Sequence, residues 1–324
     1  MSKTPWMGTE LVALLISQLP NVEDLNFLAS CIWDWSSVQN PNYQTLEASS
    51  LSLKSITTDF VHGPIMLSVS SNLQTLNLHK YRPETAAATP PLPALKTLRL
   101  TRCNLGQREL EILLDSCTGG LHTVAFESLE DSAVVFSGYD VKWVLSSEVV
   151  THLRKHKKTL RSLYLDFRSR DAKGTFELVQ GHQGQNEQPM VDLTDFKALD
   201  NILLSTDMIY RPEEEEPYDS MSLVHHLPES ITSLSIASHS KTDEMRIRSG
   251  LAGLADLKRG QPSRFPDLQL VCSDSANKFD GLGGLFRAVG VDFRQEEWPV
   301  RSYLYLHGSI FFSDNQYAHN DYPY

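Results

Sequence analysis

Residues 92–105 read LPALKTLRLTRCNL, and no other stretch of the chain constrains its fold as strongly. Leu92, Leu95, Leu98 and Leu100, then Cys103 and Leu105, spell L-x-x-L-x-x-L-x-L-x-x-C-x-L. Around Leu98 and Leu100 the apolar residues alternate with period two, so both point to one side of a short strand. Thr97, Arg99 and Thr101 then point to the other side. One such turn of chain cannot bury its own leucine face, and it needs a similar turn stacked on each flank.

The chain supplies those turns in order. Leu73, Leu76 and Leu78 stand in SNLQTLNLHK before the central copy, and Leu121, Val124 and Phe126 in GLHTVAFES after it. Leu160, Leu163 and Leu165 follow in TLRSLYLDF, and Ile231, Leu234 and Ile236 in SITSLSIAS. Weaker copies are LPNVEDLNF (Val22, Leu25, Phe27), SLKSITTDF (Leu53, Ile56), KALDNILLS (Leu199, Ile202, Leu204) and FPDLQLVCS (Leu268, Leu270). The central apolar residues fall at 25, 56, 76, 98, 124, 163, 202, 234 and 268, with gaps of 31, 20, 22, 26, 39, 39, 32 and 34. The middle gaps fit a leucine-rich repeat of about 20–29 residues, and the wider ones need longer helices or inserted loops. The expected fold is therefore α/β: an irregular leucine-rich-repeat solenoid with a parallel sheet on its concave side and helices and loops outside.

The whole chain, 1–324, reads as one such solenoid. Residues 1–19 form an N-terminal helix or cap, with Leu11, Leu14, Leu15 and Leu19 at helical spacing after Thr9 and Pro20 at its end. About nine repeats occupy 20–275, a C-terminal cap 276–312, and a tail 313–324. Between strands the spacing predicts helices after Leu105 (QRELEILLDSC, ended by Gly119-Gly120), at 147–158, at 242–258 and over Leu282 to Val289. Residues 130–147 suggest an extra hairpin. Residues 168–190 and RPEEEEP (211–217) read as surface loops.

Composition narrows the function class. Lys and Arg total 29 against 40 Asp and Glu, a formal charge of −11 with no basic tail, which argues against nonspecific nucleic-acid binding. No run reaches the roughly 18–20 apolar residues of a membrane span. ELVALLISQL and LASC (28–31) echo secretion signals, but Glu10, Asn21, Glu23 and Asp24 interrupt them. The four cysteines, Cys31, Cys103, Cys117 and Cys272, form no C-x-x-C pair and favour a reduced protein of the cytoplasm or nucleus.

Catalytic and metal motifs are weak. His152 and His156 have metal-ligand spacing on a helix, yet Leu-Arg-Lys separates them, and a solvated face is the expectation. His225-His226 has no further ligand spaced to help, and GLGGLF (281–286) departs from the phosphate-binding glycine patterns, so it should start a helix. No G-x-S-x-G elbow is present. Neither a cofactor nor a metal is expected. The candidate site is instead the outward face of the strands, which in register presents Asp24, Asn26, Asn77, His79, Arg99, Glu127, Tyr164, Asp166 and Ser235. Asn77, His79, Arg99, Glu127, Tyr164 and Asp166 form its centre, and Arg99 and Tyr164 are the residue types most often found at binding hot spots.

The irregular repeats LPNVEDLNFL, NLQTLNL, LPALKTLRLTRCNL and TLRSLYLDF resemble the repeat regions of fungal F-box-type proteins over most of residues 10–312. The resemblance implies a substrate receptor whose N-terminal F-box docks on a ubiquitin-ligase adaptor. LPNVEDLNFLASCIWDW (19–35) echoes an F-box opening while lying in repeat register. The expectation is a noncatalytic scaffold that binds a protein partner on the concave face. Two alternatives stay open: a ubiquitin-ligase subunit with a lost or degenerate F-box, and an enzyme with an acidic site in the loops at 168–192 or 211–217.

Overall fold

A computed structural model describes residues 21–27, 52–58, 70–79, 81, 89–103, 105–128, 144, 146–167, 169–170, 176–177, 191–210, 220–238, 243–274 and 279–296. The strands are β1 (Asp24–Phe27), β2 (Ser55–Thr58), β3 (Thr75–His79), β4 (Thr97–Cys103), β5 (Thr123–Ser128) and β6 (Ser162–Asp166). They continue with β7 (Ser169–Arg170), β8 (Phe176–Glu177), β9 (Asn201–Ser205), β10 (Ser233–Ala237), β11 (Leu270–Asp274) and β12 (Asp292–Glu296). All but β7 and β8 form one 10-stranded parallel sheet in the order β1-β2-β3-β4-β5-β6-β9-β10-β11-β12. The short pair β7–β8 is antiparallel and separate.

Register turns the leucine pattern into rows. Leu25, Ile56, Leu76, Leu98, Val124, Leu163, Ile202, Leu234, Val271 and Phe293 stand side by side across the ten strands. Two residues on, Leu78, Leu100, Phe126, Leu165, Leu204 and Ile236 make a second row. The leucines that precede the strands (Leu53, Leu73, Leu95, Leu121, Leu160, Leu199, Leu268) are buried with them. Each fully buried leucine contributes about 1.5–3 kcal/mol. This face is therefore the main source of cohesion.

Helices cover the same side. α1 (Gln107–Ser116), α2 (Ser146–Leu153), α3 (Ser222–His225), α4 (Asp243–Gly260) and α5 (Leu282–Arg287) join the leucine rows in one core. In α1 the buried residues are Leu110, Leu113 and Leu114, a helical spacing, with Glu109 in the first turn where the helix dipole favours it. In α4, Ile247, Leu251, Leu254 and Ala255 make the buried stripe. The same stripe places Lys258 in the core, where its ammonium donates to the carbonyls of Phe265 (2.6 Å) and Leu268 (3.2 Å). That cation ties the end of α4 to the turn that leads into β11.

A repeated backbone fork absorbs the unequal gaps. The carbonyls of Glu23, Lys54, Gln74, Lys96, His122, Arg161, Asp200 and Thr232 each accept two successive N–H groups from the next turn of chain, at 2.7–3.1 Å. Spacing in sequence varies, but the hydrogen-bonding at the start of each strand does not. Cys103 adds a thiol bond to the Leu78 carbonyl at 3.3 Å, so it serves the stacking of adjacent strands.

Several expectations need correction. The sheet extends one strand past the pattern, because β12 lies inside the span expected to be a cap. Gly290 (φ 74) takes the place of the usual leucine before β12, and polar Gln295 fills the second core position, where it accepts the Phe279 N–H at 2.9 Å. Val271, not Leu268, occupies the core row of β11; Leu270 points to the other face. The helix after Leu105 closes at Cys117, and Gly120 (φ 79) shapes the turn into β5 instead. The helix at 147–158 is shorter, running as α2 and then a 3-10 turn over Arg154–His156. The expected N-terminal helix (1–19), the terminal strand at 300–312, the loop at 211–217, and most of the hairpin at 130–147 and of the loop at 168–190 lie outside the described residues.

His156 is not on a solvated face. It is buried, and its Nδ1 accepts the Leu121 N–H at 3.4 Å across the stacked turns. Burial holds its imidazole below the ordinary value of 6.5; Lys155 adds to this, and the Leu114 carbonyl and Asp115 oppose it. The unfolded chain protonates this group near 6.5 and the folded one does so only lower. Its contribution to stability is thus fully present above about 6.5 and lost as pH falls below that value. Urea denaturation at a series of pH values should show stability falling on acidification through that window, and less steeply in His156→Gln. Identical slopes in the two proteins would exclude His156 as the cause.

Candidate functional site

Alternation sends every residue that is not in a leucine row to the opposite face of the sheet. Three rows result there. The first is Asp24, Ser55, Thr75, Thr97, Thr123, Ser162, Asn201, Ser233, Leu270 and Asp292. The central one is Asn26, Thr57, Asn77, Arg99, Ala125, Tyr164, Leu203, Ser235, Cys272 and Arg294. The last, at the fifth position of β3 to β6 and β9 to β11, contains His79, Thr101, Glu127, Asp166, Ser205, Ala237 and Asp274. Every residue chosen from sequence lies on this face. Asn26, Asn77, Arg99, Tyr164 and Ser235 share the central row, His79, Glu127 and Asp166 the last row, and Asp24 the first.

The rows differ in chemistry. Between β2 and β10 the first row carries only Ser, Thr and Asn, all half-buried. In the central row polar residues on β2–β4 give way to an apolar lane. Leu203 is buried there, and with the buried Ala237 of the last row it packs against Tyr164 and Cys272. Leu203 is 1% exposed although it faces away from the main core. Ala125 is shielded between Arg99 and Tyr164, its neighbours in register. In the last row Glu127 and Asp166 are adjacent on β5 and β6, at 4% and 3% exposure.

Local hydrogen bonds fix part of the surface. Asn77 Nδ2 donates to Thr57 Oγ1 at 2.9 Å, and His79 Nδ1 lies 3.0 Å from Thr101 Oγ1. Ser205 Oγ accepts the Phe167 N–H at 3.1 Å. Arg99 is half-buried and makes no ion pair among the described residues. A guanidinium beside a Tyr–Leu–Ala lane suits contact with a partner that offers both an apolar side chain and an acceptor.

Sequence reasoning overlooked Ala125, Leu203 and Cys272. The signal for Leu203 was present, because NILLS breaks the alternation with an extra apolar residue, which marks a strand buried on both faces. Nothing in sequence marked Ala125 or Cys272.

Among the described residues the remaining candidates stand apart from one another. Burial pushes the Cys103 thiol up to about 12 and the Cys117 thiol up to about 11, so both stay protonated at neutral pH. His225 ends α3, and Gly281 (φ 89) precedes α5, so GLGGLF starts a helix as expected. Among the described residues no group of three or more His, Cys, Asp or Glu side chains could hold a metal ion. Among them, too, no helix is long and apolar enough to cross a membrane. The chain matches no protein-family model, and no curated protein matches it.

Proposed function

We propose that the chain is a leucine-rich-repeat solenoid that acts as a noncatalytic scaffold and binds a protein partner on the outward face of its sheet. The observation that carries this is the central row, where Arg99, Ala125, Tyr164 and Leu203 stand side by side on four consecutive strands. A parallel sheet built one strand per repeat offers such a face over its full width. A guanidinium with no ion pair among the described residues, separated from a tyrosine by one alanine on the same row, is the composition of a binding hot spot. Reduced, buried thiols are compatible with a cytoplasmic or nuclear protein.

The ubiquitin-ligase alternative needs adaptor binding through residues 1–35; within that span Asp24–Phe27 pairs with β2 as a strand of the sheet, so this segment itself belongs to the repeats.

The test is affinity purification from cells with mass spectrometry. Arg99→Glu combined with Tyr164→Ala should lose at least one partner retained by the wild type, while circular dichroism and the denaturation midpoint stay near wild-type values. A well-folded double variant that keeps its whole interactome would sink the assignment. Recovery of a ubiquitin-ligase adaptor with the full-length chain would revive the receptor alternative.

A further inference from the structure

We infer that the rim at which β4, β5 and β6 begin binds a short acidic peptide segment of a protein partner through Lys96, His122 and Arg161. This surface is distinct from the outward face, and the inference does not depend on the role proposed for that face.

The three residues immediately precede their strands and are stitched together by backbone. The His122 N–H donates to the Lys96 carbonyl at 2.8 Å, and the Arg161 N–H donates to the His122 carbonyl at 2.8 Å. Parallel strands about 4.8 Å apart therefore start the three side chains along a line of about 10 Å. His122 and Arg161 are exposed and Lys96 is half-buried. The Lys96 ammonium donates to the Gly119 carbonyl at 2.9 Å and the Gly120 carbonyl at 3.4 Å, which holds it over the turn that leads to His122.

No carboxylate among the described residues forms an ion pair with this rim. Lys96 and Arg161 make no ion pair among the described residues, whereas nearby cations do: Lys54 with Glu23 at 2.6 Å, Lys157 with Asp195 at 3.4 Å, and Lys155 with Asp115. Asp200 is next after Arg161 along the rim, but its carboxylate takes a bond from the Asn201 side-chain amide. Partial burial, then Lys96 and Arg161, hold the His122 imidazole below its ordinary 6.5. Lys96 and Arg161 thus place a positive field around the His122 ring in a chain of net charge −11.

The dimensions select the ligand. The positive stretch is bounded by the Glu23–Lys54 pair on one side and Asp200 on the other. An extended peptide crossing the rim advances about 3.4 Å per residue, so carboxylates two or three residues apart reach both Lys96 and Arg161. Two cations and a titratable imidazole over about 10 Å are too few and too closely bounded for the long phosphate track of a nucleic acid.

The experiment uses the full chain with fluorescein-labelled hexaglutamate, read by fluorescence anisotropy at low ionic strength. Binding should weaken about tenfold in Arg161→Glu and further with His122→Ala, survive in Arg161→Lys, and fall with added salt as exposed charges are screened. The outward-face double variant should bind the peptide as the wild type does, so the two assignments fail separately. His122 titrated by NMR should show its pKa raised by the peptide, a shift that a purely structural effect of Arg161→Glu would not reproduce. Absence of binding, equal binding in Arg161→Glu, or equal affinity for a single-stranded oligothymidylate of the same charge would overturn the inference.

Discussion

Leu163→Ala is expected to lower the unfolding free energy by about 2–5 kcal/mol, measured by urea denaturation followed by circular dichroism. Leu163 is fully buried at the centre of β6, flanked in register by Val124 and Ile202. Truncation removes apolar area and leaves a cavity that neighbours held by strand hydrogen bonds cannot close. Ser162 and Tyr164 beside it face the other way, so Ser162→Ala should shift stability by no more than about 0.5 kcal/mol. Because β6 pairs in the sheet with β5 and β9, the loss also weakens both adjoining contacts. A Leu163→Ala protein within 1 kcal/mol of wild type, by the standard of such core truncations, would contradict the packing described.

The second large effect is at Gly253, and two physical terms oppose each other there. Alanine is the better helix former by roughly 0.5–1 kcal/mol, so propensity alone favours Gly253→Ala in α4. Space decides otherwise. A Cβ at Gly253 would stand 2.2 Å from the Ser220 carbonyl oxygen and 2.9 Å from its carbon, both backbone atoms that cannot rotate away. α4 would have to move off the segment that leads into α3. The expected result is a net destabilisation of about 1–3 kcal/mol, despite the gain in propensity. Gly260, at the end of the same helix, has nothing within 4 Å of such a Cβ, and Gly260→Ala should be neutral or slightly stabilising. Equal effects of the two alanines would show that the close approach at Ser220 does not exist.

These cases separate what local pattern conveys from what it hides. The leucine rows were legible because strand alternation is a property of five residues: NLQTLNL or TLRSLYL states its own inward face. The same rule placed Arg99 and Tyr164 on the outward face. It failed where one position did not obey the repeat. Gly290 and Gln295 disguised β12, since the one core residue left there, Phe293, needs the Phe286 ring stacked 5.3 Å away to be recognised as core. His156 sounded like a polar helix residue, and only the approach of Leu121 from another turn buries it.

The sequence alone determined the α/β class, the strands β1 to β6, β9 and β10, and the division of their residues between two faces, because alternation acts within a strand. Only the tertiary structure decided which outward residues are neighbours. Lys96, His122 and Arg161 are separated by 26 and then 39 residues, and loops of such unequal length carry no record of register. The forked hydrogen bonds at the strand starts set that register, and they bring Lys96, His122 and Arg161 into one line.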